Sequence, residues 1–415
     1  MKLTKIAVDK LQLPTSGNQK RYYDSLMAGF GVRVTAKGVK AFFIEKMIKG
    51  KQKRLTIGRY PELTVEQARK EAQKLLGKIA TGVDPIAENK ASKQRSLTLQ
   101  EVFNDYIKAR KSIKPSSILD YQRALNQVVP DWLNKPFFSI TKEMVFVRHE
   151  THGRERSEAR ANCAMRVLRA LFNFAASEYE DDKGKPLILE NPVKRLSHKR
   201  AWYRIERRQS VIKRHELAQW YQGLQKLTHR YDAKQAEMMK DYFLFVLFTG
   251  LRREEAATVR WENVDFKDFT LTVTKTKNGQ VHTLPLSTFL YELLLRRKKE
   301  TIGDFVFPAT NGKKGHLTEP RKAMLKIAKE SSIEFTVHDL RRTFITLAES
   351  LDIPVYVLKR LLNHTLVTDV TAGYVVINIE RLRKPMQLIT DTLVKLMGLE
   401  TIGSQVKDEE VVTAI

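Results

Sequence analysis

Residues 338–344 read HDLRRTF, and they combine an apolar stripe with a cluster of cations. His338 and Arg341 are three residues apart, so on a helix they share a face beside that stripe. Arg is seldom buried without a partner, because desolvating an unpaired charge is costly. The stretch therefore predicts a core-facing helix whose cationic side chains bind an anion. Its apolar stripe, at the spacings of four, three and four that are typical of such a helix, is Leu340, Phe344, Leu347 and Leu351.

The composition is that of a basic globular protein. Of 415 residues, 74 are Lys or Arg and 47 are Asp or Glu, so the formal net charge is +27. An excess of this size repels itself unless a polyanion is bound, and it is typical of proteins that bind nucleic acid. No segment combines a basic face with an exposed apolar face, so we expect no membrane partner.

Cysteine usage and the apolar runs indicate the compartment. Cys163 is the only cysteine, which excludes an internal disulfide framework and favours a reducing environment. The N-terminus MKLTKIAVDKLQL has no continuous apolar core. The longest apolar run, YFLFVLF at 242–248, is far shorter than the roughly 20 residues that span a bilayer. We therefore expect a cytoplasmic protein.

The first predicted domain, residues 1–90, is an α+β unit. Thr64 and Gln67 form a capping-box pattern that opens a helix. The polar stretch 87–96 then predicts a linker. Short alternating runs between turn signals predict a three-stranded sheet before the helix, at 31–35, 41–45 and 53–57.

The rest of the chain is predicted to be mainly helical. Residues 97–195 lack strand-like runs and predict a compact helical domain. Residues 200–390 predict a mixed but mostly helical domain, with one hairpin over 271–286 that turns at Asn278-Gly279. Residues 391–415 are interpreted as a C-terminal tail. The expected fold class is multidomain and mainly α, with small antiparallel sheets.

Two stretches of the third domain place cations beside structural turns. Arg252 in TGLR begins a new helix just after Gly250 stops an apolar one, and Glu255 follows one turn on. Lys277 stands just before the hairpin turn, where a long donor could reach a leaving oxygen. Each also has an ordinary explanation, since Arg252 could be a surface ion pair with Glu255 and Lys is common at hairpin tips.

Two later stretches add histidines and a tyrosine. Of the nine histidines, only His338 is followed by Arg at the third position, as Arg341. In LLNHTLVTDVTAGYVV (361–376), His364 is followed ten residues later by Tyr374. A tyrosine near a C-terminus is more often half-buried packing than a nucleophile. Each of these signals is modest alone.

Motifs for metal and nucleotide binding are missing from the sequence. There is no GxxxxGK[ST] loop, which argues against a P-loop ATPase. HETH at 149–152 is not HExxH and lacks an obvious further ligand, so a solvated helix end is a better interpretation than a zinc site. We expect no cofactor and no metal ion.

The order of the cationic motifs is more specific than any one motif. Arg in TGLR, a hairpin Lys, HxxR, then LxNH and a following Tyr resemble the ordered constellation of the tyrosine recombinases, also called the phage integrase family. Lys277 stands eight residues before Pro285, which is similar to the family's hairpin. Residues 22–69 resemble the N-terminal arm-binding domain of integrases from prophages and genomic islands. Residues 97–195 resemble the family's core-binding domain.

The resemblance implies an enzyme that cuts and rejoins DNA through a 3′-phosphotyrosyl intermediate, without ATP. Cleavage without metal needs a nucleophile, a proton donor and positive charge on the nonbridging oxygens. In this family's pattern, arginines supply the charge, the tyrosine attacks, the first histidine assists as base, the lysine protonates the 5′-oxygen and the second histidine donates to the phosphate. The implied catalytic residues, in chain order, are Arg252, Lys277, His338, Arg341, His364 and Tyr374.

The implied partners are double-stranded DNA at core and arm attachment sites, a homotetramer on that DNA, and DNA-bending or directionality proteins. Two alternatives stay open. A type IB topoisomerase shares the constellation, but the arm-like N-terminus favours an integrase. A noncatalytic DNA-binding regulator could keep the fold, although all six catalytic positions hold competent residues. Arg342, beside Arg341, has no assigned role. Basic residues predicted to meet phosphates from the N-terminal sheet are Lys37, Lys40, Lys49, Lys51, Lys53 and Arg54.

Overall fold

The chain divides into two compact units, Met1–Glu206 and Arg207–Ile415. It is mainly helical with small antiparallel sheets, which confirms the predicted fold class. None of the described helices is long and apolar enough to cross a membrane. The structure, a computed structural model, describes the whole chain except residues 16, 49, 182–183, 229–232, 310–313, 364–377 and 400–415.

The first unit begins with a short helix, α1 (Lys5–Asp9), and a four-stranded antiparallel sheet in the order β1-β2-β3-β4. The prediction of three strands is wrong by one, because β1 (QKRYY) is largely exposed and lacks the alternating apolar residues that mark the others. It joins the sheet by pairing with β2 along its whole length. The strands are β1 (Gln19–Tyr23), β2 (Phe30–Thr35), β3 (Lys40–Ile48) and β4 (Lys51–Tyr60).

Helix α2 (Val65–Ala80) packs against one face of this sheet. The predicted capping box is present: the Thr64 hydroxyl accepts from the Gln67 main-chain N–H at 3.2 Å, and the Gln67 side chain accepts from the Thr64 N–H at 3.0 Å. The core between helix and sheet excludes water from the apolar residues of both. Its fully buried members include Phe30, Val32, Val34, Phe42, Ile44, Ala68 and Ala72.

A helix, α3 (Pro85–Arg95), occupies most of the predicted linker 87–96. The Asp84 carboxylate caps it by accepting from the main-chain N–H groups of Ile86 at 3.0 Å and Ala87 at 3.4 Å. Proline suits the first helical position, because the N–H that it lacks has no partner there in any case. The predicted linker is thus helical for most of its length, because polar composition does not exclude a helix that a strong cap nucleates.

The remainder of the first unit is helical and has a separate hydrophobic core. Thr98 and Glu101 form a second capping box, with both bonds present. The boundaries proposed from the sequence, 1–90 and 97–195, remain a prediction. The helices are α4 (Leu99–Ala109), α5 (Pro115–Val128), α6 (Lys142–Glu155), α7 (Glu158–Glu178) and α8 (Lys194–His198).

The second unit packs its helices around α10, whose apolar run 242–248 is buried throughout. The last helix, α16, runs to Met397, so residues 391–397 of the predicted tail belong to the packed unit, with Leu393 fully buried. The helices are α9 (Leu217–Gln225), α10 (Ala233–Thr249), α11 (Arg253–Ala257), α12 (Thr288–Glu300), α13 (Arg321–Ser331), α14 (Val337–Glu349), α15 (Val355–Leu361) and α16 (Glu380–Met397).

The predicted hairpin is present as two strands of a three-stranded sheet, order β5-β6-β7. The strands pair only as far as Val273 with His282, so a loop of residues 274–281 replaces the expected tight turn. Gly279 has a φ of +79°, which glycine adopts at little cost. The strands are β5 (Val264–Asp265), β6 (Thr270–Val273) and β7 (His282–Pro285).

Candidate active site

Arg252 stands at the N-terminal end of α11, directly after the turn that ends α10. Gly250 makes that turn with a φ of +64°, and a Cβ there would lie 2.7 Å from the Phe344 ring, so this position requires glycine. The Arg252 main-chain N–H donates to Glu255 Oε2 at 3.1 Å, and its guanidinium donates to Glu255 Oε1 at 2.9 Å. The ion pair foreseen from the sequence exists, but Glu255 is buried, so it is not a surface pair.

Helix α14 carries the opening stretch as predicted. Thr336 and Asp339 form a capping box at its start. Leu340, Phe344 and Leu347 are buried in the core of the second unit, so the apolar stripe faces inward. His338 lies on the exposed side, and Arg341 is buried despite its charge.

Arg341 is held by main-chain carbonyls. Its Nη1 donates to the Gly250 carbonyl at 2.6 Å and its Nη2 to the Leu362 carbonyl at 3.0 Å. Burial, together with the positive charge of Arg252, lowers the pKa of Arg341 to about 10, while Glu255 opposes the shift. The guanidinium therefore stays charged at neutral pH, and the fold holds it near a second guanidinium.

Arg342 receives a structural explanation. Its Nη1 donates to Asp339 Oδ1 at 2.8 Å, and the Ser210 hydroxyl donates to the same oxygen at 2.9 Å. Burial alone would raise the pKa of Asp339, but the hydrogen bonds from Thr336, Ser210 and Arg342 hold it below its ordinary value. The second Arg of HDLRRTF thus stabilises the start of α14.

Lys277 lies in the exposed loop between β6 and β7. Its main-chain N–H donates to Glu255 Oε1 at 3.2 Å, so one buried carboxylate contacts both the Lys277 loop and Arg252. Burial alone would raise the pKa of Glu255, but the hydrogen bonds from Lys277 and Arg252 hold it below its ordinary value. Glu255 is therefore an anion that orders the cationic residues around it.

His338 completes the described part of the cluster. Partial desolvation, followed by the charges of Arg342 and Arg341, lowers the pKa of its ring. The ring is therefore largely neutral at pH 7 and can accept a proton. The structure thus brings together four of the predicted residues: Arg252, Lys277, His338 and Arg341. The other two, His364 and Tyr374, lie outside the described residues.

His149 of HETH is a packing residue, so the interpretation of this stretch as a solvated helix end is wrong for that side chain. His149 is buried, its Nε2 lies 2.9 Å from Asn162 Oδ1, and its ring stacks on Tyr203 with centroids 4.7 Å apart. Across the described ranges of the chain, no group of three or more His, Cys, Asp or Glu side chains could hold a metal ion.

Two regions of the chain match known families. Residues 210–381, which contain the cluster, match the phage integrase family, and residues 3–92 match the arm DNA-binding domain. The chain belongs to the phage integrase family of tyrosine recombinases. The family expected from the order of the motifs is thereby confirmed, and with it the activity of a site-specific, DNA strand-transferring recombinase.

Curated relatives of this recombinase are integrases. The prophage integrase IntF of Escherichia coli K12 is 25% identical over 398 residues, which cover 86% of this chain and 82% of the relative. The integrase of Shigella phage Sf6 is 24% identical over 333 residues, which cover 77% of this chain and 80% of the relative.

Solved structures of integrases share the fold. A lambda integrase tetramer bound to a Holliday junction matches with a TM-score of 0.54 at 19% identity, covering 85% of this recombinase and 97% of the other chain. A lambda integrase dimer bound to a COC′ core site matches with a TM-score of 0.52 at 18% identity, covering 88% and 95%.

Three residues of this recombinase contribute to the site without having been singled out for it. Glu255 was noted only as a partner of Arg252, although it also binds the Lys277 loop. His282 is buried, its Nε2 lies 3.1 Å from the Leu361 carbonyl, and burial lowers its pKa to about 4. Its place two residues before the buried Leu284 was a signal that it faces the core. Asn363, which contacts the Lys277 loop, is the Asn of the LxNH motif, although that motif was interpreted only for His364.

Proposed function

We propose that this recombinase integrates and excises a prophage or genomic island by cutting and rejoining DNA through a 3′-phosphotyrosyl intermediate. The observation that carries the proposal is the pair of guanidinium groups of Arg252 and Arg341, which lie close enough for the charge of one to lower the pKa of the other. Glu255 pairs with Arg252 but carries a single negative charge, so the two guanidinium groups keep an excess positive charge that a further anion would balance. A DNA phosphate is such an anion.

The two arginines would stabilise the negative charge that develops on the nonbridging oxygens. A guanidinium is charged at all working pH values and can donate two parallel hydrogen bonds to a phosphate. Arg341 is already oriented by two main-chain carbonyls, so little reorganisation is needed when the phosphate arrives. This preorganisation supports a role in the transition state as well as in binding.

The proton transfers follow from the remaining residues. The Tyr374 oxygen would attack phosphorus and lose its proton, with His338 as the base that accepts it. The lowered pKa of His338 supports this role, because a neutral ring is needed. The bond from phosphorus to the 5′-oxygen would break, and Lys277 would give that oxygen its proton. His364 would donate a hydrogen bond to the phosphate. The new phosphotyrosyl ester conserves the energy of the broken bond, so rejoining requires no ATP.

A nicked suicide substrate tests the chemistry, because the cleaved strand diffuses away and leaves the protein covalently attached to DNA. We expect wild-type protein to form the adduct and Tyr374→Phe to bind the same DNA without forming it. An adduct that persists in Tyr374→Phe would refute the nucleophile. DNA binding with no adduct from the wild-type protein would favour a noncatalytic regulator.

A second surface supports arm-site binding by residues 1–90. On the sheet face opposite α2, the register aligns Arg21 with Arg33, Arg33 with Ala41, and Ala41 with Arg59. Like charges directly opposite each other destabilise a sheet, so a row of arginines favours a bound polyanion. We propose that this row contacts arm-site DNA.

Three of the six basic residues first expected to meet phosphates have partners within the first unit. Lys40 donates to the carbonyls of Val8 at 2.7 Å and Asp9 at 2.9 Å, Lys53 pairs with Asp84, and Arg54 pairs with Glu45. These three contribute to the fold of the first unit. Lys37 and Lys51 are exposed, and Lys49 lies outside the described residues.

The remaining expectations extend the proposal to partners and domains. We assign arm binding to residues 1–90, core-site binding to 97–195 and catalysis to 200–390. A lambda integrase of similar fold is described as a tetramer bound to a Holliday junction, which supports a homotetramer for strand exchange here. DNA-bending or directionality proteins would assist it, and the reaction would take place in the cytoplasm, where the chromosome lies.

A further inference from the structure

The loop that carries Lys277, residues 274–281, lies beyond the last paired residues of its hairpin. Within the loop, the Thr276 hydroxyl contacts Asn278 Oδ1 at 2.7 Å and donates to the Gln280 carbonyl at 2.6 Å. The loop also reaches across to Asn363, 85 residues further along the chain. An exposed loop without ladder hydrogen bonds loses much conformational entropy when it is ordered, so contacts outside it must fix its position.

The contact with Asn363 is reciprocal. Asn278 Nδ2 donates to the Asn363 main-chain carbonyl at 3.1 Å and to its Oδ1 at 3.2 Å. Asn363 Nδ2 donates back to Asn278 Oδ1 at 3.3 Å and to the Gln280 carbonyl at 3.4 Å. A side-chain amide carries both a donor and an acceptor, so two amides can pair in this way where two carboxylates or two ammonium groups cannot.

The partner side of this contact is itself well held. Asn363 follows the end of α15 with a φ of +49°, a left-handed conformation that Asn tolerates better than most residues. The two preceding carbonyls accept from His282 Nε2, at 3.1 Å from Leu361, and from Arg341 Nη2, at 3.0 Å from Leu362. The residue before Asn363 is thus bound to a guanidinium of the site, and Asn363 itself is bound to the Lys277 loop.

We propose that Asn278 and Asn363 are positioning residues for Lys277: their paired amides hold the loop so that the Lys277 ammonium meets the leaving 5′-oxygen. The inference rests on the proposed function, because it presumes that Lys277 is the general acid. A general acid must lie within hydrogen-bond reach of the atom that it protonates, and small displacements cost large factors in rate. The amide pair therefore acts on proton donation and not on phosphate binding.

A sulfur substitution separates these two roles. In the normal substrate the bond from phosphorus to the 5′-oxygen breaks, and the oxygen takes a proton from Lys277. With sulfur at the 5′-bridging position, the phosphorus–sulfur bond breaks and a thiolate leaves without a proton, because thiols are far more acidic than alcohols. Loss of a correctly placed acid therefore slows cleavage of the oxygen substrate and spares the sulfur substrate. A loss of folding or DNA affinity slows both.

The variants are chosen to remove the amide pair, and Asn278→Ala also removes the contact of the Thr276 hydroxyl with Asn278 Oδ1. Asn278→Ala removes one amide from an exposed position. Asn363→Gly removes the other amide and keeps a residue that accepts the left-handed backbone. Val281→Ala, in the same loop with a side chain that is 62% exposed, is the matched control. Lys277→Ala defines the full effect of losing the acid. Single-turnover adduct formation is measured on suicide substrates with 5′-oxygen and 5′-sulfur.

We expect each amide variant to form adduct about tenfold more slowly than wild type on the 5′-oxygen substrate, because a partly exposed hydrogen-bonded pair is lost. On the 5′-sulfur substrate we expect a rate close to that of wild type. In the double variant the slowing should be much smaller than the product of the two single effects, since both changes remove the same amide-to-amide contact. Equal slowing on both substrates, or no slowing on either, would overturn the inference.

The outcomes also distinguish this inference from the proposed function. Wild-type protein that forms no adduct on either substrate would refute the proposed function itself. A Lys277→Ala variant that is equally slow on both substrates would remove Lys277 as the acid, and the positioning role would be refuted with it. If Lys277→Ala is rescued by sulfur and the amide variants are not, only the positioning role is refuted.

Discussion

Replacing Glu255 by Gln is expected to destabilise the second unit through the residues of the site itself. The Glu255 carboxylate is 4% exposed and accepts from the Arg252 N–H, the Arg252 guanidinium and the Lys277 N–H. Gln has the same shape but no charge, and one of its two terminal groups is a donor. If its oxygen keeps the two contacts of Oε1, its NH₂ faces the Arg252 N–H, donor against donor.

The size of this loss in folding stability follows from the contacts of the Glu255 carboxylate. A hydrogen bond to a charged group contributes about 1.5–3 kcal/mol, and a buried donor left unsatisfied costs about 1–3 kcal/mol. The Arg252 side chain is 27% exposed, so water compensates part of the loss. We therefore expect the free energy of unfolding of the second unit to fall by about 2–3 kcal/mol at pH 7.

The effect of Glu255→Gln should depend on pH with a definite sign. The pKa of Glu255 in the folded chain lies below its ordinary value of 4.5. The carboxylate therefore stabilises the fold fully above pH 4.5, and this contribution is lost as the pH falls through the lower, folded pKa. The difference between wild type and variant should be largest near pH 7 and should shrink below pH 4.5.

Native-state hydrogen exchange of the full chain in urea measures this difference. Peptides from α10 and α14, followed by mass spectrometry, report on the second unit alone. Glu254→Gln is the matched control, because its side chain is 62% exposed and should change stability by less than about 0.5 kcal/mol. A Glu255→Gln loss no larger than that of the control, or one that stays constant at low pH, would refute the assigned role of Glu255.

Three further predictions address the charge, the buried histidine and the arm surface. Adduct formation should proceed in excess chelator, because Arg252 and Arg341 supply the positive charge; loss of activity that only Mg²⁺ restores would indicate a two-metal nuclease. His282, with a pKa of about 4, should cost the fold about 3 kcal/mol as the pH falls from 6.5 to 4, and His282→Gln should lack this loss in the same exchange assay; parallel pH profiles would contradict it. Arg33→Ala should weaken arm-DNA binding and reduce its salt slope by about 1, whereas Lys70→Ala, on α2, should leave the slope unchanged.

Local sequence signals predicted the elements that form the site with good accuracy. The stripe and the cations of HDLRRTF gave a core-facing helix, and α14 has that orientation. Gly250 was expected to end a helix and does so with a positive φ. The predicted capping box at Thr64 is present. Caps, apolar spacing and turn glycines act within one or two helical turns, so they are readable from a single chain.

The failures occurred where local signals were weak. Strand β1 has few apolar residues and depends on its pairing with β2, which no pattern within the strand reports. Helix α3 is polar, and its cap at Asp84 outweighed its composition. The hairpin strands end at Val273 and His282, because the loop between them is held by Glu255 and Asn363 instead of by a tight turn.

The sequence by itself determined the family and the candidate residues, because the order of the motifs resembles that of the family and the residue types suit the chemistry of phosphoryl transfer. Only the tertiary structure decided how those residues are held. Glu255 contacts Arg252 three residues away and Lys277 twenty-two residues away, and Asn363 meets Asn278 across 85 residues. Such contacts depend on the packing of α11, α14 and α15 around the hairpin, and hydrogen bonds between distant residues leave no periodic signal in the chain. The sequence therefore identifies the cationic residues, and the packing of the helices brings them together into one site.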